Sequence, residues 1–330
     1  MNARLGEIMR TAIIGMGVIG QIHASLLLDK GYEVVAICDT DKEKCKQYPQ
    51  IKAYTNYREM LDKERPDIVH VCTPHDLHTE MILYALERDI NVLCEKPLCS
   101  RKEDIPIILQ AEKRSRAQLG VCFQNRYIPC NQYVKTYLQD KTILSMQANV
   151  HWNRGKAYYT SSWRGEKARA GGGVLINQAI HTLDLLQWLG GVAEYMTASV
   201  SNLTLSDVID VEDTAFLLCE GKTNYILSAT NGCKPGFPLD IQIQTQDEII
   251  RLFDNKILLK GKVIDFPQSD QYVGKPCYGM GHAPLIEDFY DCIKTGRKFS
   301  INGEEGAKAL RMVFASYESH DKKIKIEYNE

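Results

Sequence analysis

Short apolar runs alternate with amphipathic segments along the first third of the chain. From Arg10 to Phe123, each run rich in β-branched residues is followed by a turn and then by a segment with helical periodicity. This alternation predicts a parallel, doubly wound α/β sheet. The predicted strands are Thr11–Ile14, Glu33–Cys38, Lys52–Tyr54, Ile68–Cys72, Asn91–Cys94 and Gly120–Phe123, and the predicted helices are Ile19–Asp29, Lys42–Gln47, Tyr57–Glu64, His78–Arg88 and Lys102–Arg116.

The pattern changes after about Arg126, where polar and apolar residues alternate over longer runs. Short turns such as Glu220-Gly221-Lys222 indicate an antiparallel sheet. We therefore expect two domains, residues 1–125 and residues 126–330, the second being α+β with a large open, mainly antiparallel sheet. Its predicted helices are Cys130–Gln139, Val174–Leu189, Pro284–Thr295 and Gly303–His320, and its predicted strands are Ser145–Trp152, Glu194–Leu203, Thr214–Glu220, Asn224–Thr230, Asp240–Thr245, Ile249–Phe253 and Lys256–Leu259.

A glycine-rich turn joins the first predicted strand to the first predicted helix. It reads Gly15-Met16-Gly17-Val18-Ile19-Gly20, the spacing that lets a backbone approach a pyrophosphate at a helix N-terminus. The second strand ends at Asp39-Thr40, where a carboxylate can accept hydrogen bonds from both ribose hydroxyls. Asp39 and Asp41 would repel a 2'-phosphate, so we predict a Rossmann domain that binds NAD in preference to NADP.

Two further strands of this sheet end in polar residues. Thr73-Pro74 ends the fourth strand and Glu95-Lys96-Pro97 ends the fifth, both at the carboxyl edge where ligands bind. We expect Thr73, Pro74, Glu95, Lys96 and Gln124 to contact the cofactor. His75 and His78 either contact the cofactor or act as capping and packing residues. Lys96 is suited to stabilise negative charge on a substrate oxygen, the alternative being a surface salt bridge.

The second domain carries its own candidate acid–base group. Gly171-Gly172-Gly173 precedes a helix on which Asn177, His181 and Asp184 fall at spacings that share one face. A histidine with a carboxylate one turn away is a plausible general base, and the alternative is a hydrogen-bonded interior histidine. Three further polar clusters occur at loop positions and suit either a sugar-like ligand or a structural anchor: Trp163-Arg164-Gly165, Gln124-Asn125-Arg126-Tyr127 and Gly279-Met280-Gly281-His282.

Composition narrows the class of protein. The chain has 330 residues, 44% of them hydrophobic, and a formal net charge of -2, which favours no nucleic-acid partner. Neither a membrane-spanning stretch nor a signal-peptide core is expected, and we predict a cytoplasmic protein. The 11 cysteines form no Cys-x-x-Cys pair, so we expect reduced thiols and no metal.

Taken together, these motifs resemble the Gfo/Idh/MocA family, named after glucose-fructose oxidoreductase and inositol dehydrogenase. The likeness rests on the Gly15–Gly20 turn, Glu95-Lys96-Pro97, the glycine-rich helix with His181 and the late Gly281-His282 segment. It implies NAD(P)-dependent oxidation or reduction at a secondary alcohol of a sugar, sugar derivative, glycoside or cyclitol. It also implies catalytic roles for Lys96 and His181. Many members carry aspartate where this chain has Asn177, which favours a modified sugar as substrate.

Two other functions fit the same residues. One is a redox-neutral enzyme that retains NAD, oxidises a glycoside transiently, eliminates a group and reduces the product again. The other is a non-catalytic NAD or sugar sensor, against which the intact Lys96 and His181 argue. The expected partners are a small carbohydrate or polyol, bound by Asn177, Arg126, Trp163, Arg164, Asp184 and His282, and further copies of the chain through the open sheet, as a homodimer or homotetramer.

Overall fold

The structure is a computed structural model that describes residues 9–160, 163–266 and 281–328. The chain forms two compact units. Of the described residues, the first unit holds 9–124 and 281–306, and the second holds 125–160, 163–266 and 307–328. The first segment of the first unit ends one residue before the predicted division at 125/126, and residues 281–306 also group with this unit.

The first unit is built on a six-stranded parallel sheet with strand order β3-β2-β1-β4-β5-β6. The order reverses between β1 and β4, so a crevice lies at the carboxyl ends of these strands, where dinucleotides bind. The predicted doubly wound sheet is confirmed. Its elements are β1 Arg10–Ile14, α1 Val18–Asp29, β2 Glu33–Cys38, β3 Lys52–Tyr54, α2 Tyr57–Glu64, β4 Ile68–Val71, α3 His78–Leu86, β5 Asn91–Cys94, α4 Asp104–Arg114 and β6 Leu119–Val121, with a short 3-10 turn at Lys42–Cys45.

The second unit is built on a nine-stranded sheet with order β14-β13-β12-β11-β7-β10-β9-β8-β15. All its pairings are antiparallel except β7 with β10, which run parallel in register Asn224↔Ser145. The sheet is therefore mixed, although mainly antiparallel. Its strands are β7 Ile143–His151, β8 Ala193–Ser201, β9 Thr214–Gly221, β10 Asn224–Thr230, β11 Asp240–Thr245, β12 Ile249–Phe253, β13 Lys256–Leu259, β14 Lys262–Asp265 and β15 Ile324–Lys325.

The helices of the second unit depart from the prediction at three places, because two short helices were not predicted and a third contains a π-helical turn. They are α5 Pro129–Tyr137, α6 Lys156–Tyr159, α7 Lys167–Ala170 and α8 Ile180–Gly190. The predicted helix Val174–Leu189 is helical without a break, but Leu175–Ala179 forms a π-helical turn instead of α-helix. Such turns add a residue to the helical repeat and occur often at functional sites.

Two long helices follow near the end of the chain, α9 His282–Thr295 and α10 Gly303–Ser319. Helix α9 joins the first unit because its apolar face is buried there: a Cβ on Gly120 in β6 would lie 2.8 Å from the ring of Phe289 in α9 and 3.0 Å from the ring of Phe299, which follows α9. The Ile301 carbonyl accepts a hydrogen bond from the Val121 amide. This packing explains why the C-terminal segment departs from the predicted domain division.

Two sequence expectations concern cysteines and membranes. The ten cysteines in the described parts of the chain are free thiols, and nine of them are buried. Burial raises the pKa of the Cys38 thiol to about 12, so it stays protonated at neutral pH.

Within the described ranges, every helix is too short or too polar to cross a bilayer.

Candidate active site

The glycine turn after β1 fits a dinucleotide by its backbone geometry. Gly15 has a φ of 90°, and a Cβ on Gly20 would collide with the Gly15 carbonyl oxygen. Gly17 differs, since a Cβ there would meet no atom within 4 Å. Gly17 is also the N-cap of α1, and because glycine has no side chain it offers no capping group to the helix amides. The turn therefore leaves room for a pyrophosphate at a helix N-terminus, which favours negative charge.

These contacts predict opposite effects for two glycine substitutions. Gly20→Ala should lower the free energy of unfolding by ~1–3 kcal/mol, because the new methyl group would overlap the backbone of Gly15, which cannot move away. Gly17→Ala should leave the melting temperature nearly unchanged but weaken NAD binding by ~10-fold or more, because the methyl group occupies the room for phosphate. Thermal unfolding and NAD titration measure the two effects. Equal NAD affinity in Gly17→Ala and the unaltered protein would contradict this role for Gly17.

Asp39 lies beside the glycine turn at the end of β2. Its Oδ2 accepts a hydrogen bond from the Met16 amide at 2.8 Å, and its Oδ1 accepts one from the Asp41 amide at 2.9 Å. The Lys44 ammonium donates to both oxygens at 3.3 and 3.4 Å. Lys44 was not predicted as a site residue, because it lies five positions beyond Asp39 on the 3-10 turn Lys42–Cys45. The Asp39 carboxylate, which is expected to bind ribose, is therefore paired with the Lys44 ammonium group.

His78 braces the turns that follow β4 and β5. Its Nδ1 lies 2.8 Å from the Pro97 carbonyl oxygen, and its Nε2 lies 2.9 Å from the Thr73 carbonyl oxygen. The imidazole is fully buried, and burial lowers its pKa. The structure thus places His78 beneath the two turns, and not on their surface as a direct cofactor contact would need. Thr73 and Pro74 are themselves half-buried.

Lys96 is half-buried between two buried neighbours, Glu95 and Pro97, and the Lys96–Pro97 peptide is cis. Glu95 Oε2 accepts a hydrogen bond from the Lys96 amide at 3.3 Å. Its Oε1 lies 3.1 Å from His23 Nε2 and 3.4 Å from His282 Nε2. Burial alone would raise the pKa of Glu95, but hydrogen bonds from the two histidines outweigh it and hold this pKa well below its usual range.

Glu95, His23 and His282 also form the one group in the described ranges whose ligand atoms could hold a metal ion. These atoms lie within 4.8 Å of one another, and all three residues are buried. His282, predicted to bind substrate, is thus part of a buried cluster in the first unit. Gln124 is buried too, and its carbonyl oxygen is covered by Gly281. Gly279 and Met280 lie outside the described residues.

In the second unit, the three glycines before α8 pack against the chain's own residues. A Cβ on Gly172 would collide with the Tyr317 hydroxyl, and one on Gly173 with the Glu212 carbonyl oxygen. The Glu212 carboxylate accepts hydrogen bonds from the Gly173 amide at 2.7 Å and the Leu175 amide at 3.0 Å. Burial raises the pKa of Glu212. Glu212 was not predicted, because a single Glu-Asp pair in a strand-rich region carries no motif.

Asn177 and His181 follow this anchored turn. Asn177 lies within the π-helical turn, is buried, and its amide donates to the Gly172 carbonyl oxygen at 3.4 Å. His181 is half-buried in the first turn of α8. The Glu212 clamp therefore fixes the backbone from which both side chains project.

Asp184, the third member of the predicted face, forms a buried ion pair. Arg126 Nε and Nη2 donate to its two carboxylate oxygens at 2.8 and 2.6 Å, and Gln187 donates to it at 3.2 Å. Arg126 and Asp184 were both predicted to bind substrate, and the structure brings them together as partners. The two parallel hydrogen bonds fix the relative orientation of the Arg126 and Asp184 side chains. Removing either partner would leave a buried charge uncompensated, which is strongly destabilising.

Trp163 and Arg164 belong to a cluster of aromatic rings and guanidinium groups. The Arg164 guanidinium lies 4.8 Å from the Trp163 ring and 5.5 Å from the Tyr158 ring. Arg154 lies 5.3 Å from Tyr158 and 5.0 Å from Trp152. Arg154 Nε is buried and has no hydrogen-bond partner among the described residues. Trp152, Arg154 and Tyr158 were missed, although their aromatic–basic alternation before Trp163 was a usable signal.

Comparison with known proteins agrees with this architecture. Residues 9–123 match the model of the oxidoreductase family with an NAD-binding Rossmann fold, and residues 141–245 match the GFO/IDH/MocA C-terminal domain. A myo-inositol 2-dehydrogenase of Thermotoga maritima is 23% identical, covering 98% of this chain and 99% of the relative. A D-glucoside 3-dehydrogenase of Escherichia coli is 28% identical over 58% of this chain and 56% of its own.

Solved structures show the same fold. The WlbA dehydrogenase of Chromobacterium violaceum, in complex with NADH and UDP-GlcNAcA, superposes with a TM-score of 0.89 at 26% identity, covering 100% of this chain and 99% of its own. The two family models together span more than half of the chain, and the glycine turn they include has the geometry for NAD. The chain therefore belongs to the Gfo/Idh/MocA family and is an NAD-binding oxidoreductase.

Proposed function

We propose that the protein oxidises a secondary alcohol of a sugar, sugar derivative, glycoside or cyclitol, with NAD preferred over NADP. The observation that carries this proposal is the position of Lys96. It leaves β5 at the same carboxyl edge of the sheet as the glycine turn after β1, and it is half-buried where Glu95 and Pro97 are buried. A cation at that edge suits an oxygen on which negative charge develops.

The chemistry follows from the two predicted catalytic side chains. Bound NAD supplies the hydride acceptor. The family resemblance assigns to the His181 imidazole the proton of the reacting hydroxyl, and to the Lys96 ammonium a hydrogen bond to the same oxygen. The carbon loses a hydride as its oxygen loses a proton, so the alcohol becomes a ketone. Asn177 is an amide and orients substrate without sharing this proton.

Among carbohydrates, we favour a derivative that carries an anionic group. Arg154 and Arg164 stack on Trp152, Tyr158 and Trp163, a combination that can bind a sugar ring through its aromatic faces and a carboxylate or phosphate through guanidinium groups. Solved structures of similar proteins hold UDP-GlcNAcA or levoglucosan, and two relatives are dehydrogenases of myo-inositol and of D-glucosides. These varied carbohydrates and cyclitols support the proposed substrate class. Within that class, an anionic group is the feature that we expect to distinguish the substrate of this protein.

A substrate panel tests the proposal. Purified protein is incubated with NAD and with sugars, uronic acids, sugar nucleotides, glycosides and inositols, and the absorbance of NADH is followed. We expect NADH to accumulate, most rapidly with an acidic sugar derivative. Cleavage of a glycoside without net NADH would favour the redox-neutral alternative, and binding without any turnover would favour a sensor. His181→Ala, assayed in parallel, should abolish the NADH signal.

We also propose that the exposed face of the nine-stranded sheet binds a second copy of the chain. Phe216, Leu218 and Ile226 are 56%, 43% and 53% exposed, and Leu218 is paired with Ile226 across β9 and β10. Neighbouring apolar side chains on adjacent strands form a patch that a two-fold axis can match with itself. A homodimer or homotetramer is the expected assembly.

A charged substitution in this patch should separate the copies. Phe216→Asp is expected to lower the molar mass measured by light scattering to that of a smaller assembly, because the carboxylate would be buried without a partner. Ile107→Asp is the matched control, since Ile107 is 50% exposed on α4 of the other unit. An unchanged mass for Phe216→Asp would contradict the sheet as the interface.

A further inference from the structure

A chain of buried hydrogen bonds crosses the first unit and ends at Glu95. The Tyr290 hydroxyl lies 2.8 Å from the Thr11 hydroxyl and 3.0 Å from His70 Nε2. His70 Nδ1 lies 2.8 Å from His23 Nδ1, and His23 Nε2 lies 3.1 Å from Glu95 Oε1. Thr11, His23 and His70 are completely buried. The chain thus joins β1, α9, β4, α1 and the end of β5.

The Glu95 carboxylate determines the direction of every bond in this chain. An ionised carboxylate only accepts, so His23 must donate from Nε2. The Nδ1 atoms of His23 and His70 lie 2.8 Å apart, so only one of them carries a proton, and burial, which lowers the pKa of both imidazoles, favours their neutral forms. His23 Nδ1 then accepts from His70 Nδ1–H, and His70 Nε2 accepts from the Tyr290 hydroxyl. That hydroxyl oxygen accepts from Thr11, so each link has one donor and one acceptor.

We propose that His23 and His70 are positioning residues that hold Glu95, and through it the backbone of Lys96, by this one-directional chain. His23 lies one turn after Gly20 on α1, and Glu95 Oε2 accepts from the Lys96 amide at 3.3 Å. The glycine turn that binds the cofactor and the lysine at the end of β5 are therefore connected through one buried carboxylate. This role rests on the proposed function, because it acts on the geometry of Lys96.

A metal ion bound by His23, Glu95 and His282 is the competing arrangement, and it requires the opposite proton positions. A metal at His23 Nε2 would leave the proton on His23 Nδ1, which would then donate to His70 Nδ1. His70 would carry its proton on Nε2 and donate to Tyr290. The two arrangements thus differ in the tautomer of both histidines, and this difference can be measured.

The first experiment measures these tautomers by NMR on the full-length protein with ¹⁵N-labelled histidine and bound NAD. We expect protonated Nε2 on His23 and protonated Nδ1 on His70, with the signals assigned from His23→Gln and His70→Asn variants. The reverse tautomers, or stoichiometric zinc in the purified protein by elemental analysis, would overturn the chain. This measurement needs no substrate, so it is independent of whether the proposed oxidation is found.

The second experiment separates hydrogen bonding from packing. His70→Leu, which removes both links, should lower kcat for the panel substrate by ~10-fold with little change in KM or NAD affinity, because Lys96 would be misplaced. His70→Asn should restore kcat to within ~3-fold, since its amide N–H can replace Nδ1–H as the donor to His23. Equal kcat values in the two variants would overturn the positioning role. If His70→Leu does not fold, the tautomers measured in the unaltered protein decide whether the hydrogen-bond chain exists.

Discussion

Replacing Lys96 with alanine should lower kcat by ~10²-fold or more while NAD still binds. The ammonium group is expected to stabilise the oxygen of the reacting alcohol, and alanine removes that group without adding bulk. Lys96 lies at the carboxyl edge of the parallel sheet, and its neighbours Glu95 and Pro97 remain to hold the turn. Steady-state rates with the best panel substrate and NAD titration by fluorescence measure the two quantities.

Lys113→Ala is the matched control, because Lys113 is exposed in the last turn of α4. We expect its kcat and NAD affinity to match those of the unaltered protein. A Lys96→Ala variant that keeps near-normal turnover would refute the catalytic role of Lys96. A variant that loses NAD binding together with turnover would instead assign Lys96 to cofactor binding.

Asp39→Ala should shift cofactor preference from NAD toward NADP by ~10-fold or more. The carboxylate is expected to accept hydrogen bonds from the adenosine ribose, and its charge opposes a 2'-phosphate. The structure adds a second cause, because Lys44 donates to both oxygens of Asp39 at 3.3 and 3.4 Å. Removing the carboxylate leaves this ammonium near the ribose position, where it can pair with a phosphate.

The double variant Asp39→Ala/Lys44→Ala separates these two causes. We expect it to bind NAD as weakly as Asp39→Ala but to lose the gained affinity for NADP. The ratio of dissociation constants for NAD and NADP, measured at one fixed salt concentration, is the readout. A ratio unchanged by Asp39→Ala would remove Asp39 from cofactor discrimination.

The sequence predicted the first unit closely because strand and helix periodicities there are local properties. Glu33–Cys38, Asn91–Cys94 and Tyr57–Glu64 have the predicted bounds. The packing of α9 against β6 could not be predicted, since it depends on contacts between Phe289 or Phe299 and a glycine far away in the chain. The parallel pairing of β7 with β10 was missed for a similar reason, because alternation shows a strand without showing its neighbour.

The candidate site divides in the same way. Motifs with fixed spacing, such as the glycine turn and Glu95-Lys96-Pro97, were visible because their function constrains neighbouring residues. The buried hydrogen-bond chain that contacts Glu95 could not be predicted, because His23, His70 and Tyr290 are far apart in the sequence and meet only after folding. The ion pair between Arg126 and Asp184 likewise joins residues 58 positions apart. Periodicity placed Asp184 beside His181 but could not reveal its partner.

Transfer of a labelled hydride tests the central claim most directly. The best panel substrate is prepared with deuterium on the carbon that is oxidised, and the nicotinamide product is examined by mass spectrometry. We predict one deuterium in each NADH and an equal amount of ketone, with both products formed at least ~10²-fold more slowly by Lys96→Ala and absent for His181→Ala. Unlabelled NADH, or turnover of the substrate without NADH, would contradict oxidation by hydride transfer to free NAD.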